Sequence, residues 1–146
     1  MKKDVLIQIR GVQYIDGEQD VVELTTVGRF YRKNGDYYIS YDESEATGFE
    51  GGKTTLKVEG DDSKVTMLRS GPNRSQLIVE AGRRHQCQYD TGYGPIIMGV
   101  SGDRILSSLS DRGGELNFKY TLDLNASLAS ENEVFVQVRE QNRAAE

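Results

Sequence analysis

The run Leu116-Asn117-Phe118-Lys119-Tyr120-Thr121-Leu122-Asp123-Leu124 alternates apolar and polar side chains without a break. Successive residues of an extended strand point to opposite faces, so Leu116, Phe118, Tyr120, Leu122 and Leu124 share a dry face and the others a wet one. The same period recurs at both ends of the chain. Val5, Ile7 and Ile9 alternate with Gln8 and Arg10, and Val134, Val136 and Val138 with Glu133, Gln137 and Arg139, Phe135 being the one breach. Helical spacing never persists over a comparable window. Only Ala126 to Glu131 could make a helical turn, and that stretch is too short to stand alone.

Turn chemistry breaks this alternation every ten residues or so. Asn34-Gly35 suits the two positive φ values of a type I′ turn, which predicts a tight hairpin of Phe30–Lys33 with Tyr37–Tyr41. Asp16-Gly17, Gly60-Asp61, Gly71-Pro72-Asn73, Ala81-Gly82, Ser101-Gly102-Asp103 and Gly113-Gly114 read similarly. Pro72 and Pro95 lie in or beside turns, where a missing N–H costs no ladder bond. The segments between these marks predict about eight to ten strands.

The chain's 146 residues suit one domain able to bury a core without covalent staples. Its apolar fraction of 36% fits strands that each give one face to water. The expected organisation is a single β-domain over residues 1–140 with a polar tail over 141–146. Consecutive hairpins in an open sheet would leave two edges inviting aggregation, and closure removes both. A β-sandwich would meet the same need. Short connections favour an up-and-down antiparallel barrel, since a Greek key needs long crossovers.

Charge and cysteine content narrow the function classes. A net charge of −5 disfavours default phosphate binding, which rests on excess Lys and Arg. Arg83-Arg84, and Arg29, Arg32 and Lys33 beside Tyr31, Tyr37 and Tyr38, imitate a single-strand-binding surface. The acidic balance argues against it, and no nucleic acid is expected as partner. Cys87 stands alone, so no internal disulfide forms and nothing requires an oxidising compartment. The opening Met1-Lys2-Lys3-Asp4-Val5-Leu6-Ile7 imitates a leader. Gln8 and Arg10 cut its apolar run short of the roughly 7–15 residues of a secretory segment or the about 20 of a membrane span. The expectation is a cytoplasmic protein with no membrane association.

Few residues suggest chemistry. His85, Cys87 and Tyr89 share one strand face, but residues two apart are separated by roughly 6.5–7 Å, too far for a direct Cys–His pair. Two such ligands do not make a zinc site, and one His is a weak argument for haem. No catalytic residue, metal or cofactor is expected, and Cys87 reads as a structural thiol. The segment Asp42 to Lys53 is longer than a turn requires. It reads as a solvated loop, or as a lid with Gly48, Gly51 and Gly52 as flexible points and Phe49 as a plug; Glu43, Glu45 and Glu50 lack the spacing of a calcium loop. Parity places Val5, Ile7, Ile9, Leu24, Val65, Met67, Leu116, Phe118, Leu122, Val134, Val136 and Val138 inside. Arg69 shares the parity of Val65 and Met67 and so faces inward near a strand end, where a guanidinium can grip a carboxylate or phosphate.

The run from Tyr41 through Asp42-Glu43-Ser44-Glu45 to Val58, the strand end Val65-Thr66-Met67-Leu68-Arg69-Ser70-Gly71, and Tyr89-Asp90-Thr91-Gly92-Tyr93-Gly94 resemble, in order, motifs of the YwiB-like bacterial proteins of unknown function. Gly92 stands where that pattern has Pro, and Val79 where it has an aromatic. The resemblance extends from the first strand to about Arg139. It implies a calycin-like barrel, the architecture of lipocalins and fatty-acid-binding proteins, and no activity. The Gly-x-Trp signature of true lipocalins is absent, Gly28-Arg29-Phe30 being a distant echo.

The leading expectation is a non-catalytic barrel that holds a small, partly apolar, anionic molecule. Arg69 would be the anchor, Tyr41, His85, Tyr89 and Tyr120 the lining, and Gly28 and Cys87 would leave room for the ligand. The alternative is a filled barrel that binds a protein partner through its rim or outer surface. A cavity of a few hundred Å³ with polar anchors separates the first from the second.

Overall fold

The computed structural model describes residues 2–43, 51–71, 74–90, 94–125 and 127–141, with Tyr89 and Asp90 described through their backbone only. Ten strands follow one another: β1 (Lys2–Ile15), β2 (Glu18–Lys33), β3 (Asp36–Asp42), β4 (Lys53–Val58), β5 (Lys64–Ser70), β6 (Ser75–Glu80), β7 (Arg84–Asp90), β8 (Pro95–Ser107), β9 (Gly113–Leu124) and β10 (Ser127–Glu140). Each pairs antiparallel with its sequence neighbours, and β1 pairs with β10, closing an up-and-down barrel. Residues 44–50, which include Phe49, lie outside the described residues, as do 142–146 of the tail.

Turn residues set the register. Asn34 and Gly35 take φ values of 55° and 84°, and the hairpin they close pairs Arg32 with Tyr37 and Phe30 with Ile39. Asp16 and Gly17 do the same for the long β1–β2 hairpin. With register set, parity decides burial. Val5, Ile7, Val65, Leu116, Phe118, Val136 and Val138 are buried, and Ile9, Leu24, Met67, Leu122 and Val134 are partly buried against them. Leu124, in the same row as Leu122, runs past the barrel end and is exposed. Phe135 faces out beneath the Arg10 guanidinium, 5.7 Å from its ring centroid.

Three local expectations are corrected. Ser101-Gly102-Asp103 is no turn: β8 runs straight through it, with a bulge between Gly102 and Arg104. The bulge forms because β6 crosses there, and a Cβ on Gly102 would strike the Glu80 carbonyl oxygen. The stretch from Ser127 onward is strand, not a helical turn, because its backbone pairs with β9. The space expected beside Gly28 is already taken by the Ile7 side chain and the Ser40 backbone.

The interior has two unequal halves. At one end Phe30, Phe118, Ile7, Ile39, Leu116 and Val5 are fully buried and fill the lumen. Asp111 in the β8–β9 turn ties that end shut. It accepts a hydrogen bond from the Tyr37 hydroxyl at 2.9 Å, lies 3.1 Å from the Arg32 guanidinium, and its carbonyl accepts from Lys3 Nζ at 2.7 Å. The other end is open among the described residues.

Candidate functional site

Residues opposite one another on paired strands face the same way. One such row crosses the open end: Tyr41 stands opposite Thr54, Thr54 opposite Arg69, Arg69 opposite Ser75, and Ser75 opposite Tyr89. Tyr89 thus holds the expected register, while its side chain lies outside the described residues. One turn deeper, Leu56, Met67 and Leu77 form an apolar tier. Across the barrel a second row runs Tyr120, Asn132, Gln13 and Asp20 on β9, β10, β1 and β2. Between these walls lies a cavity of about 420 Å³, lined by Tyr41, Thr54, Arg69 and Ser75 of the first row, by the second row, and by Ile9, Leu24, Leu122 and Val134.

Arg69 is inward, as parity requires, and its side chain is 18% exposed. Its Nε donates to Thr54 Oγ1 at 3.3 Å, and its Nη2 lies 3.8 Å from Glu43 Oε1. The Thr54 hydroxyl donates to the same Glu43 oxygen at 2.5 Å. By sequence Glu43 belongs to a solvated acidic run, yet its side chain is 2% exposed. The signal that finds it is the parity of β3: Tyr37, Ile39 and Tyr41 face inward, and Glu43 comes next. Its backbone N–H continues the ladder to the Gly52 carbonyl at 2.8 Å, which keeps the side chain turned inside. Burial, reinforced by the Glu43 charge, holds the Tyr41 hydroxyl well above the usual tyrosine range, with the Arg69 charge opposing. Arg69, Tyr41 and Tyr120 therefore share one cavity, with Glu43 and Thr54 as members that sequence reasoning missed.

His85 is not among them. Its ring is half-buried, with Nε2 2.8 Å from Glu80 Oε1, and it does not line the cavity. The reason is register at the β6–β7 seam: Ser75 opposite Tyr89 is the single backbone pair, which leaves His85 four residues, roughly 13 Å, along β7 from the Arg69 row. The strands splay toward their turn, and Glu80 swings round to meet the imidazole. Within the seam the Cys87 thiol, buried at 5% exposure, accepts the Ile78 N–H at 3.4 Å. Arginines of the basic surface patch are engaged too: Arg84 binds Asp123 through two hydrogen bonds of 3.0 and 2.8 Å, and Arg83 lies 3.4 Å from Glu80. Among the described residues no group of three His, Cys, Asp or Glu side chains is placed to hold a metal.

Fold and site together define a class: an up-and-down ten-stranded barrel, packed at one end and hollow at the other. The chain belongs to the family of the domain of unknown function DUF1934, whose model matches residues 7–136. It is similar to the uncharacterised β-barrel protein YwiB of Bacillus subtilis (strain 168), at 27% identity over 118 residues, covering 81% of this chain and 80% of that protein. The crystal structure of the ywiB protein from Bacillus subtilis matches with a TM-score of 0.82 at 21% identity, covering 97% of this chain and 94% of that one. At that identity the match speaks to the fold, and it agrees with the family resemblance read from the sequence motifs.

Proposed function

We propose that this protein is a non-catalytic, cytoplasmic binding protein that holds a small, partly apolar molecule in the open half of a calycin-like barrel. The observation that carries the reading is the cavity of about 420 Å³, with an apolar tier below and the Tyr41–Thr54–Arg69–Ser75 row at its rim. Small-molecule sites typically occupy about 300–1,000 Å³ and combine apolar walls with a few convergent polar groups. Arg69 is the anchor for the polar end of the ligand, since a guanidinium carries five donors in a fixed fork and can serve several acceptors. Glu43 beside it offsets the positive charge, which favours an acceptor group of low charge density over a compact anion such as phosphate. Tyr41 and Tyr120 supply aromatic wall, Tyr89 stands in register beside them, and His85 drops out of the lining.

The rim or outer surface as a protein-docking module is the weaker reading. Exposed apolar side chains such as Val27, Ile97, Leu106 and Leu128 are spread over β2, β8 and β10, and scattered apolar residues are ordinary on a monomer surface.

Titration with the fluorescent probe 1-anilinonaphthalene-8-sulfonate tests the proposal. Saturable one-to-one binding to the native protein, lost in Arg69→Ala and retained in part by Arg69→Lys, is the expected result. Absence of saturable binding, or equal binding by all three proteins, would overturn it.

A further inference from the structure

Asn132 stands in the row that faces Arg69 across the cavity, and 8% of it is exposed. Among the described residues its side chain makes one hydrogen bond, from Nδ2 to Ser130 Oγ at 2.9 Å. That leaves the carboxamide oxygen of a nine-tenths-buried residue without a partner among the described residues, on a wall of the cavity. Buried polar groups are ordinarily satisfied, because an orphaned acceptor has lost its water and gained nothing in exchange. The asparagine is not there by accident of register. It takes the parity of Val134, Val136 and Val138, where a valine or leucine would pack at no such cost.

β5 and β10 lie five strands apart in either direction round the ring, so Arg69 and Asn132 approach the cavity from opposite walls. Leu56, Met67, Leu77 and Val134 line the space between. At about 30 Å³ per water-sized unit, 420 Å³ holds a molecule of about a dozen such units. An apolar body of that size can touch both walls at once.

We infer that Asn132 is a second polar subsite, and that the barrel selects a two-headed molecule with an acceptor end at Arg69, an apolar middle, and a hydroxyl at Asn132. A hydroxyl fits either orientation of the carboxamide, because it can donate and accept. The chemical class is a medium-chain acid or ester carrying a hydroxyl at its far end. This inference rests on the proposed binding function and adds the ligand's second head.

The test compares straight-chain alkanoates of six to twelve carbons with their ω-hydroxy counterparts, each displacing 1-anilinonaphthalene-8-sulfonate from the folded protein. At the chain length that spans the walls, the hydroxylated acid should bind roughly three- to tenfold more tightly, the worth of one added hydrogen bond. Asn132→Leu should abolish or invert that preference, whereas Arg69→Lys, which keeps part of the probe binding, should weaken both series alike. If Asn132→Leu proves unfolded, Asn132→Ala and the wild-type preference itself carry the test. Equal affinity for both series at every length would overturn the Asn132 subsite and leave the binding function standing. Failure of the wild-type protein to bind the probe or either series would overturn both.

Discussion

Burial holds the Tyr41 hydroxyl above its ordinary value of 10.0, with the Glu43 charge adding to the effect. Because the native value is raised, this group's contribution to stability is full below the unfolded value and declines as pH rises past it toward the native one. Stability should therefore fall on the alkaline side, and Tyr41→Phe should flatten that limb between about pH 9 and 12 in urea unfolding. An unchanged slope in the variant would exclude Tyr41 as its source. Cys87 makes a different single-residue case. Parity places it inside, and its sulfur serves as an acceptor for Ile78 where β6 and β7 do not pair. A buried thiol is slow to react because attack requires an accessible thiolate. At neutral pH the folded protein should remain largely unmodified by iodoacetamide over the time in which the urea-unfolded chain reacts fully. Rapid stoichiometric labelling would contradict that role.

At the scale of strands and hairpins, alternation and turn residues made most of this barrel legible. Asn34-Gly35 and Asp16-Gly17 adopt the positive φ values their side chains permit, and the flanking strands inherit their register. The same reasoning failed at Ser101-Gly102-Asp103, because glycine has two uses that look alike in a sequence. It can supply a turn, or it can let two backbones approach. Gly102 does the second, beneath the Glu80 backbone, and β8 bulges without ending. Gly102→Ala should cost about 1–3 kcal/mol, since a carbonyl oxygen cannot move aside as a side chain does. Gly11→Ala is the contrast, because nothing lies within 4 Å of a Cβ there. It should change stability by no more than about 0.5 kcal/mol. Equal effects of the two substitutions on the urea midpoint would refute the close-approach account.

Across the whole molecule the packed and hollow halves divide the work. Phe30, Phe118, Ile39 and Leu116 supply the apolar burial that holds the ring closed, and the open end is left free to carry polar groups inside. The most exacting of these is the Glu43–Thr54–Arg69 cluster, in which the acid is almost wholly withdrawn from water. Removing Arg69 withdraws one counter-charge from a carboxylate that cannot reach solvent. Arg69→Ala should thus lower stability by about 1–3 kcal/mol, besides abolishing probe binding. A variant that lost binding at unchanged stability would mean that Arg69 touches the ligand without supporting Glu43.

Local order was determined by the sequence alone. Period-two alternation from Val5 to Val138 gave strands, the inward face, and the place of Arg69 beside Met67, because side-chain direction along an extended chain depends only on neighbouring residues. Asn132 was equally legible, two residues before Val134 on the same parity, although its value as a polar group inside a barrel shows only once the cavity is known. Three things waited for the tertiary structure. Glu43 looked solvated because its charge invites that reading, and the partners that make its burial tolerable arrive from β4 and β5. His85 has the expected parity, yet the register of β6 on β7 puts Tyr89 in the Arg69 row and leaves His85 four residues along the strand, where it meets Glu80. The hollow itself depends on how ten inward faces, each set by local pattern, fill or fail to fill a volume that only closure encloses.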